Sequence, residues 1–148
     1  MPQIHFVFGV IPVPVFITDD MPDWVGGYAK SAAVFIRPKY IAEGDTGILN
    51  HELRHVRQFW QMILLSLAIA GVIYLTGSSL WQLMPALGIA AHMSLYRFVP
   101  RYRLWSEVDA YKQQIKAYSL SGPSDWMLDD LQNKYDLTYT RDFIKSRF

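Results

Sequence analysis

The sequence contains no cysteine and only four histidines among its 148 residues. Disulfide bonds and thiolate metal sites are therefore excluded, so any metal ion must be held by nitrogen and oxygen ligands. Acidic and basic residues nearly balance, with a formal net charge of +1. No cluster of basic residues interleaved with aromatics follows any predicted element, which argues against nucleic-acid binding. The length predicts a single domain, residues 1–148, with a core of its own.

Charged residues are also absent from positions 58–96, although the rest of the chain is well charged. Residues 59–75 are apolar over about the length that a helix needs to cross a bilayer. After a predicted turn, a second apolar segment occupies residues 80–99, in which Pro85 and Gly88 are expected to cause a bend. The two segments together predict an apolar helical hairpin.

The predicted hairpin spans about 58–99 and would contact a lipid bilayer through residues 59–99. Arginines flank both of its ends and its tip is uncharged, which predicts a membrane protein with both ends of the hairpin, and the residues just before it, on the cytoplasmic side. The flanking residues are Arg54, Arg57, Arg97, Arg101 and Arg103. The alternative is a cytoplasmic protein in which the hairpin is packed in the fold or associates with itself.

Two of the four histidines occur in the sequence His51-Glu52-Leu53-Arg54-His55. Residues four positions apart share one face of a helix, so both imidazoles can reach the same metal ion. Glu52 would project beside that ion, where it can accept a proton from water instead of acting as a ligand. The alternative interpretation is a surface helix that carries two solvated histidines.

A catalytic zinc site needs three protein ligands and one open position, so a third ligand is expected downstream. Pro100 ends the returning helix of the hairpin, and helical geometry places that point level with His55. Glu107 belongs near the apolar face of the helix that follows and is the candidate third ligand of Zn²⁺. The alternative is a solvated glutamate on an amphipathic helix.

The order of the predicted elements indicates an α+β fold. Short β-rich segments before the histidines predict a small N-terminal antiparallel β-sheet packed on the helix that carries them. Asp45 or Thr46 is the candidate N-cap of that helix. The apolar hairpin and C-terminal helices follow, including a helix at 125–134 whose role the sequence does not indicate.

The order of strand, His51-Glu52-x-x-His55 helix and later helix with Glu107-Val108-Asp109-Ala110 resembles the gluzincin metallopeptidases. In that family the third zinc ligand is a glutamate, often followed three positions later by a small residue, here Ala110. The apolar hairpin between the two motifs resembles the membrane gluzincins of the CAAX-processing and heat-shock type. The chain departs from these in lacking an Ala-Asp pair after the glutamate, because Asp109 precedes Ala110 here.

The resemblance implies a zinc metalloendopeptidase that hydrolyses peptide bonds of a peptide or protein substrate. Zn²⁺ would be held by His51, His55 and Glu107, with Glu52 as general base. The alternative function is a small non-catalytic membrane or protein-interaction protein with a structural metal or none.

Further residues are candidates for supporting roles in such a site. Tyr111 or His92 could stabilise the oxyanion, although each residue type more often packs in a core. Asp109 or Asp45 could orient a metal-binding imidazole through its free N–H group. The strand at 33–36 could offer its backbone edge to an extended peptide.

Overall fold

The computed structural model describes residues 2–135 and 137–148, and the α+β prediction is confirmed. A four-stranded sheet precedes a series of helices. The elements are β1 (Gln3–Val7), β2 (Ile11–Ile17), β3 (Gly27–Lys30), β4 (Ala33–Ile36), α1 (Pro38–Ala42), α2 (Thr46–Leu75), a 3₁₀ helix (Ser79–Leu83), α3 (Met84–Phe98), α4 (Pro100–Ala117), α5 (Asp125–Asn133) and α6 (Arg141–Lys145).

The sheet has the strand order β1-β2-β4-β3 and is mixed, so the prediction of a purely antiparallel sheet is wrong in one respect. β1–β2 and β3–β4 are antiparallel, whereas β2 and β4 run parallel. The cause is the long connection of residues 18–26, which carries the chain to the outer position of β3 before β4 returns beside β2. Ser31, with φ of +54°, lies in the tight turn between β3 and β4.

One face of the sheet packs against the first turns of α2. Alternate residues of β2 and β4 point to this face because successive side chains of a strand alternate. The buried side chains are Val7, Val13, Val15, Val34, Ile36 and Val56. This packing fixes α2, and with it the two histidines, against the sheet.

Helix α2 is a single helix of 30 residues that contains both the histidines and the first apolar segment. Asp45 is its N-cap: the side chain accepts hydrogen bonds from the backbone N–H groups of Gly47 and Ile48 at 2.9 and 3.2 Å. The predicted N-cap position is therefore confirmed. An aspartate there also stabilises the helix by its charge, because the N-terminus of a helix carries partial positive charge.

Helix α3 returns antiparallel along α2, as the hairpin prediction requires. Gly88 lies against Ser66, and Tyr96 lies against His55, nearer the start of α2. At the two positions where a bend was predicted, the segment changes from the 3₁₀ helix to α3 just before Pro85, and α3 is continuous through Gly88. Pro85 lies in the first turn of α3, where a missing N–H costs no helical hydrogen bond. Gly88 permits a close approach of α3 to α2, since a Cβ atom at this position would be 2.2 Å from Ser66 Oγ.

Among the described residues, α2 is the one helix that is long and apolar enough to cross a membrane. Only 28% of its most apolar window is buried inside the protein. Helix α3 has 15 residues, or about 22 Å of helix, which is shorter than a bilayer core of about 30 Å.

Helix α4 begins at Pro100, as predicted, and carries Glu107 back to α2. Its apolar side forms a second core with α5 and α6, to which Leu104, Val108 and Tyr111 contribute. The predicted helix at 125–134 is α5, and its buried residues Met127 and Leu131 pack in this core. The C-terminal segment thus holds α4 in place behind the histidines.

Candidate metal centre

The two histidines of α2 direct their outer ring nitrogens toward each other. His51 is buried and His55 nearly so, one helical turn apart on the face of α2 that meets α4. Their Nε2 atoms are 3.2 Å apart. Two imidazoles whose Nε2 atoms face each other supply two ligands of a possible metal site.

Glu107 completes the group from α4. Its side chain is 1% exposed, with Oε2 at 3.5 Å from His51 Nε2 and Oε1 at 3.5 Å from His55 Nε2. The prediction that Glu107 arrives beside the two histidines is confirmed. His51, His55 and Glu107 form a buried group that could hold a metal ion.

The spacing of these atoms fits a tetrahedral metal ion. With metal–ligand distances of about 2.0–2.1 Å, two ligands of a tetrahedron lie about 3.3 Å apart. The two Nε2 atoms, 3.2 Å apart, are close to that separation, and each has one oxygen of the Glu107 carboxylate at 3.5 Å. Glu107 Oε2 is also buried without a hydrogen-bond partner among the described residues, which is costly unless something else binds it.

The electrostatics of the group favour a cation at its centre. Burial alone would raise the pKa of the Glu107 carboxyl, but the positive charges of His55 and His51 close to the carboxylate hold that pKa well below its usual range. Burial lowers the pKa of His55, yet Glu107 outweighs this effect and raises it to about 9. A buried carboxylate that draws positive charge this strongly suits a metal cation.

Glu52 is buried next to the group without belonging to it. Its side chain lies against β3, and its Cγ atom would be 3.4 Å from a Cβ atom at Gly27. Burial raises the pKa of Glu52 above its ordinary value, although the charges of His51 and His55 oppose the shift. Glu52 also lines the cleft onto which the group opens.

A chain of hydrogen bonds orients the His55 ring. Its Nδ1 atom faces Gln58 Oε1 at 3.2 Å, and the Nε2 group of Gln58 donates to Asp109 Oδ2 at 2.8 Å. Ser106 Oγ also donates to Gln58 Oε1, at 2.6 Å, and the guanidinium of Arg54 donates to Asp109 at 2.5 Å. Asp109 thus reaches the imidazole through Gln58.

Asp45 does not contact either histidine in this way. It caps α2 and accepts a hydrogen bond from the Tyr118 hydroxyl at 2.8 Å, so the hypothesis that it orients an imidazole is wrong. Sequence reasoning missed Gln58, which the spacing could have indicated. It lies three positions after His55 and seven after His51, on the same face of the helix.

Three aromatic residues surround the ligands. The Tyr111 ring packs edge-on against His51 with centroids 4.6 Å apart. The Tyr96 hydroxyl, which sequence reasoning missed, donates a hydrogen bond to Glu107 Oε1. His92 also borders the cleft, with Nδ1 at 2.8 Å from the Tyr102 hydroxyl. The signal for Tyr96 was available, since it lies on the returning helix shortly before Pro100.

The group opens on a cleft of about 870 Å³ between β3, α2, α4 and α5. Its walls carry many aromatic side chains, which include Trp24, Tyr28, Tyr40, Tyr118, Trp126 and Tyr135. The strand bordering the cleft is β3, an edge strand of the sheet. The hypothesis that residues 33–36 offer a free edge is wrong, because β4 is paired on both sides by β2 and β3.

Comparison of the chain with protein-family models, with curated proteins and with solved structures finds no match. Its function must therefore be inferred from the geometry of the centre itself.

Proposed function

We propose that this protein is a zinc-dependent metallopeptidase that hydrolyses peptide bonds with Glu52 as general base. The observation that carries the proposal is the arrangement of three buried ligand groups, open to a cleft, with a fourth titratable group free beside them. Structural zinc sites normally take four protein ligands and are closed, whereas catalytic sites take three. This comparison favours the enzyme over an interaction protein with a structural metal.

The ligand chemistry favours zinc. Two imidazole nitrogens and one carboxylate oxygen suit Zn²⁺ in tetrahedral geometry, whereas Ca²⁺ and Mg²⁺ take oxygen ligands in larger numbers. When bound, Zn²⁺ would act as a Lewis acid, which lowers the pKa of water and polarises a carbonyl group. The resemblance to gluzincins agrees with this choice of metal and of ligands.

The residues around the centre would have separate roles in the reaction. Glu52 would accept a proton from the attacking water and return it to the leaving amine, for which a raised pKa is suited. Tyr111 or His92 would donate a hydrogen bond to the oxyanion, while the Tyr96 hydroxyl holds the Glu107 carboxylate. The exposed edge of β3 would pair with an extended peptide and bring its carbonyl groups over Glu52.

We also propose that α2 enters a lipid bilayer beyond Trp60, with the metal centre at the membrane foot on the cytoplasmic side. Several large apolar side chains of this helix are exposed, namely Leu64, Leu65, Val72 and Leu75. A bilayer would cover this apolar surface. The substrate would then be cleaved close to the membrane surface.

The test is the Glu52→Gln variant, purified with its metal and assayed for cleavage of unfolded casein. Zinc content should stay at about one ion per chain, because Glu52 is not a ligand, while cleavage should fall by about 10²–10⁴-fold. The matched control is Glu43→Gln, the same change at an exposed position before α2, which should leave both unchanged. Full turnover by Glu52→Gln would contradict the proposal, and zinc without cleavage in the wild-type protein would favour the non-catalytic alternative.

A further inference from the structure

The β1–β2 hairpin presents apolar side chains to the outside of the protein. Every second residue from Ile4 to Val10 is apolar and exposed, and Phe6 and Val10 reach 60% and 73% exposure. Phe8 and Gly9 form the turn, both with positive φ. Glycine or asparagine is normally found in that conformation, and a phenylalanine is strained there. Phe8 therefore places a large apolar ring at the tip although its backbone conformation is unfavourable.

This hairpin tip lies at the level where α2 becomes uncharged. The Phe8 ring is 4.8 Å from the guanidinium carbon of Arg57. Arg57 is the last charged residue before the uncharged stretch of residues 58–96. If α2 enters a bilayer, Arg57 marks the boundary between headgroups and hydrocarbon, and Phe8 and Val10 lie at that same boundary.

Basic groups line the space between the hairpin and the helices. A groove of about 470 Å³ is bordered by Phe8 and Arg57, and on the α4 side by Lys116. Arg57 and Lys116 are exposed, and neither forms a salt bridge within the described part of the chain. Unpaired cations beside exposed aromatic rings suit the phosphate and acyl-chain region of an anionic lipid surface.

We propose that the hairpin tip, residues 8–10, docks with Arg57 and Lys116 on the anionic phospholipid surface of the bilayer that α2 enters. The inference rests on the proposed membrane placement of α2 and adds a second contact, which would fix the tilt of the cleft over the membrane. A bilayer is favoured over a protein partner because the tip of the β1–β2 hairpin contacts Arg57, which immediately precedes the exposed apolar surface of α2, and one lipid surface would cover both.

The absence of cysteine allows a direct test with single-cysteine variants of the full chain. Val10→Cys, Val72→Cys and Glu43→Cys are labelled with an environment-sensitive NBD dye and reconstituted with phosphatidylcholine, with or without phosphatidylglycerol. Val72 reports on α2, and Glu43 lies before the start of α2, on the side away from the bilayer. The label at Val10 should brighten several-fold and shift to the blue when phosphatidylglycerol is present, while the label at Glu43 should not change.

Charge is tested by adding Arg57→Gln and Lys116→Gln to the Val10→Cys variant. The dependence on phosphatidylglycerol should disappear, whereas Lys145→Gln, which removes an exposed cation elsewhere, should preserve it. A label that remains in water at Val10 while Val72 reports hydrocarbon would overturn the docking inference and leave the membrane placement of α2 intact. If the labels at Val10 and Val72 both report water, the docking inference and the membrane placement of α2 are both overturned. A signal at Val10 that depends on protein concentration would indicate contact with a second copy of the chain instead of lipid.

Discussion

Glu107 Oε2 lies 3.5 Å from His51 Nε2, although the whole apolar hairpin separates the two residues in the chain. The two groups come from helices with different partners: α2 packs on the sheet, and α4 packs on α5 and α6. Their meeting point is therefore set by two cores at once. A metal ion at that point would connect both halves of the fold.

Zinc content should depend on ligands from both helices. His51→Ala and Glu107→Gln should each reduce bound zinc from about one ion per chain to near zero, measured by elemental analysis after dialysis. His5→Ala is the matched control, because His5 lies on β1 outside the centre. Loss of zinc in the control, or its retention in both ligand variants, would show that the metal binds elsewhere.

Metal removal should lower thermal stability. Any ion that binds only the folded state stabilises it, by about 2.7 kcal/mol at a free concentration of 100 times Kd. Chelation should therefore lower the Tm of the wild-type protein, and added Zn²⁺ should restore it. The His51→Ala variant should show no response to either treatment, and an equal response would contradict binding at this centre.

Gln58 should affect metal affinity without touching the metal. Gln58→Leu keeps the size of the side chain but removes the group that faces His55 Nδ1 and the donor to Asp109. Loss of such an orienting partner typically weakens metal affinity by about 10–100-fold. The zinc affinity of each variant is measured by competition with a fluorescent chelator. If Asp109 acts through Gln58, adding Asp109→Asn should cost little more, and full additivity would contradict that coupling.

The contact between α2 and α3 should be sensitive to a single methyl group. Gly88→Ala would place a Cβ atom 2.2 Å from Ser66 Oγ and 2.8 Å from Ser66 Cβ, so the helices must separate. A cost of about 1–3 kcal/mol is expected for such overpacking. Gly71→Ala is the matched control, because nothing lies within 4 Å of a Cβ atom there and alanine favours a helix. Equal denaturation midpoints for the two variants would contradict the close packing.

Membrane insertion of α2 should resist extraction. After expression and lysis, the chain should remain in the membrane fraction through an alkaline carbonate wash, because a spanning helix is held by its buried apolar surface. Release by carbonate would indicate peripheral attachment only. Recovery as a soluble monomer would contradict the proposed location.

Much of the centre was predictable because local spacing determined it. The interval between His51 and His55 equals about one turn of helix, and Pro100 indicated where the returning chain ends. The position of Glu107 followed from these two facts. Residues that meet through tertiary packing were less accessible: Tyr96 on α3 donates to Glu107 on α4, and only its place shortly before Pro100 indicated that contact.

The sheet was less predictable for a physical reason. Strand pairing depends on contacts between residues far apart in the chain, and nothing in the local pattern of β2 indicates which strand lies beside it. The connection at residues 18–26 allowed a parallel β2–β4 pair and moved the free edge from β4 to β3. The role of Gly88 was hard to predict for a similar reason, because a glycine in a helix can serve flexibility or close packing, and only the neighbour Ser66 shows the close packing.

The most direct test is a crystal structure of the zinc-loaded protein with anomalous diffraction measured on both sides of the zinc absorption edge. We expect one zinc peak between α2 and α4, about 2.0–2.2 Å from the Nε2 atoms of His51 and His55 and from a carboxylate oxygen of Glu107. A fourth position should face the cleft beside Glu52. No zinc at this point, or zinc closed in by a fourth protein ligand, would contradict a catalytic metal centre.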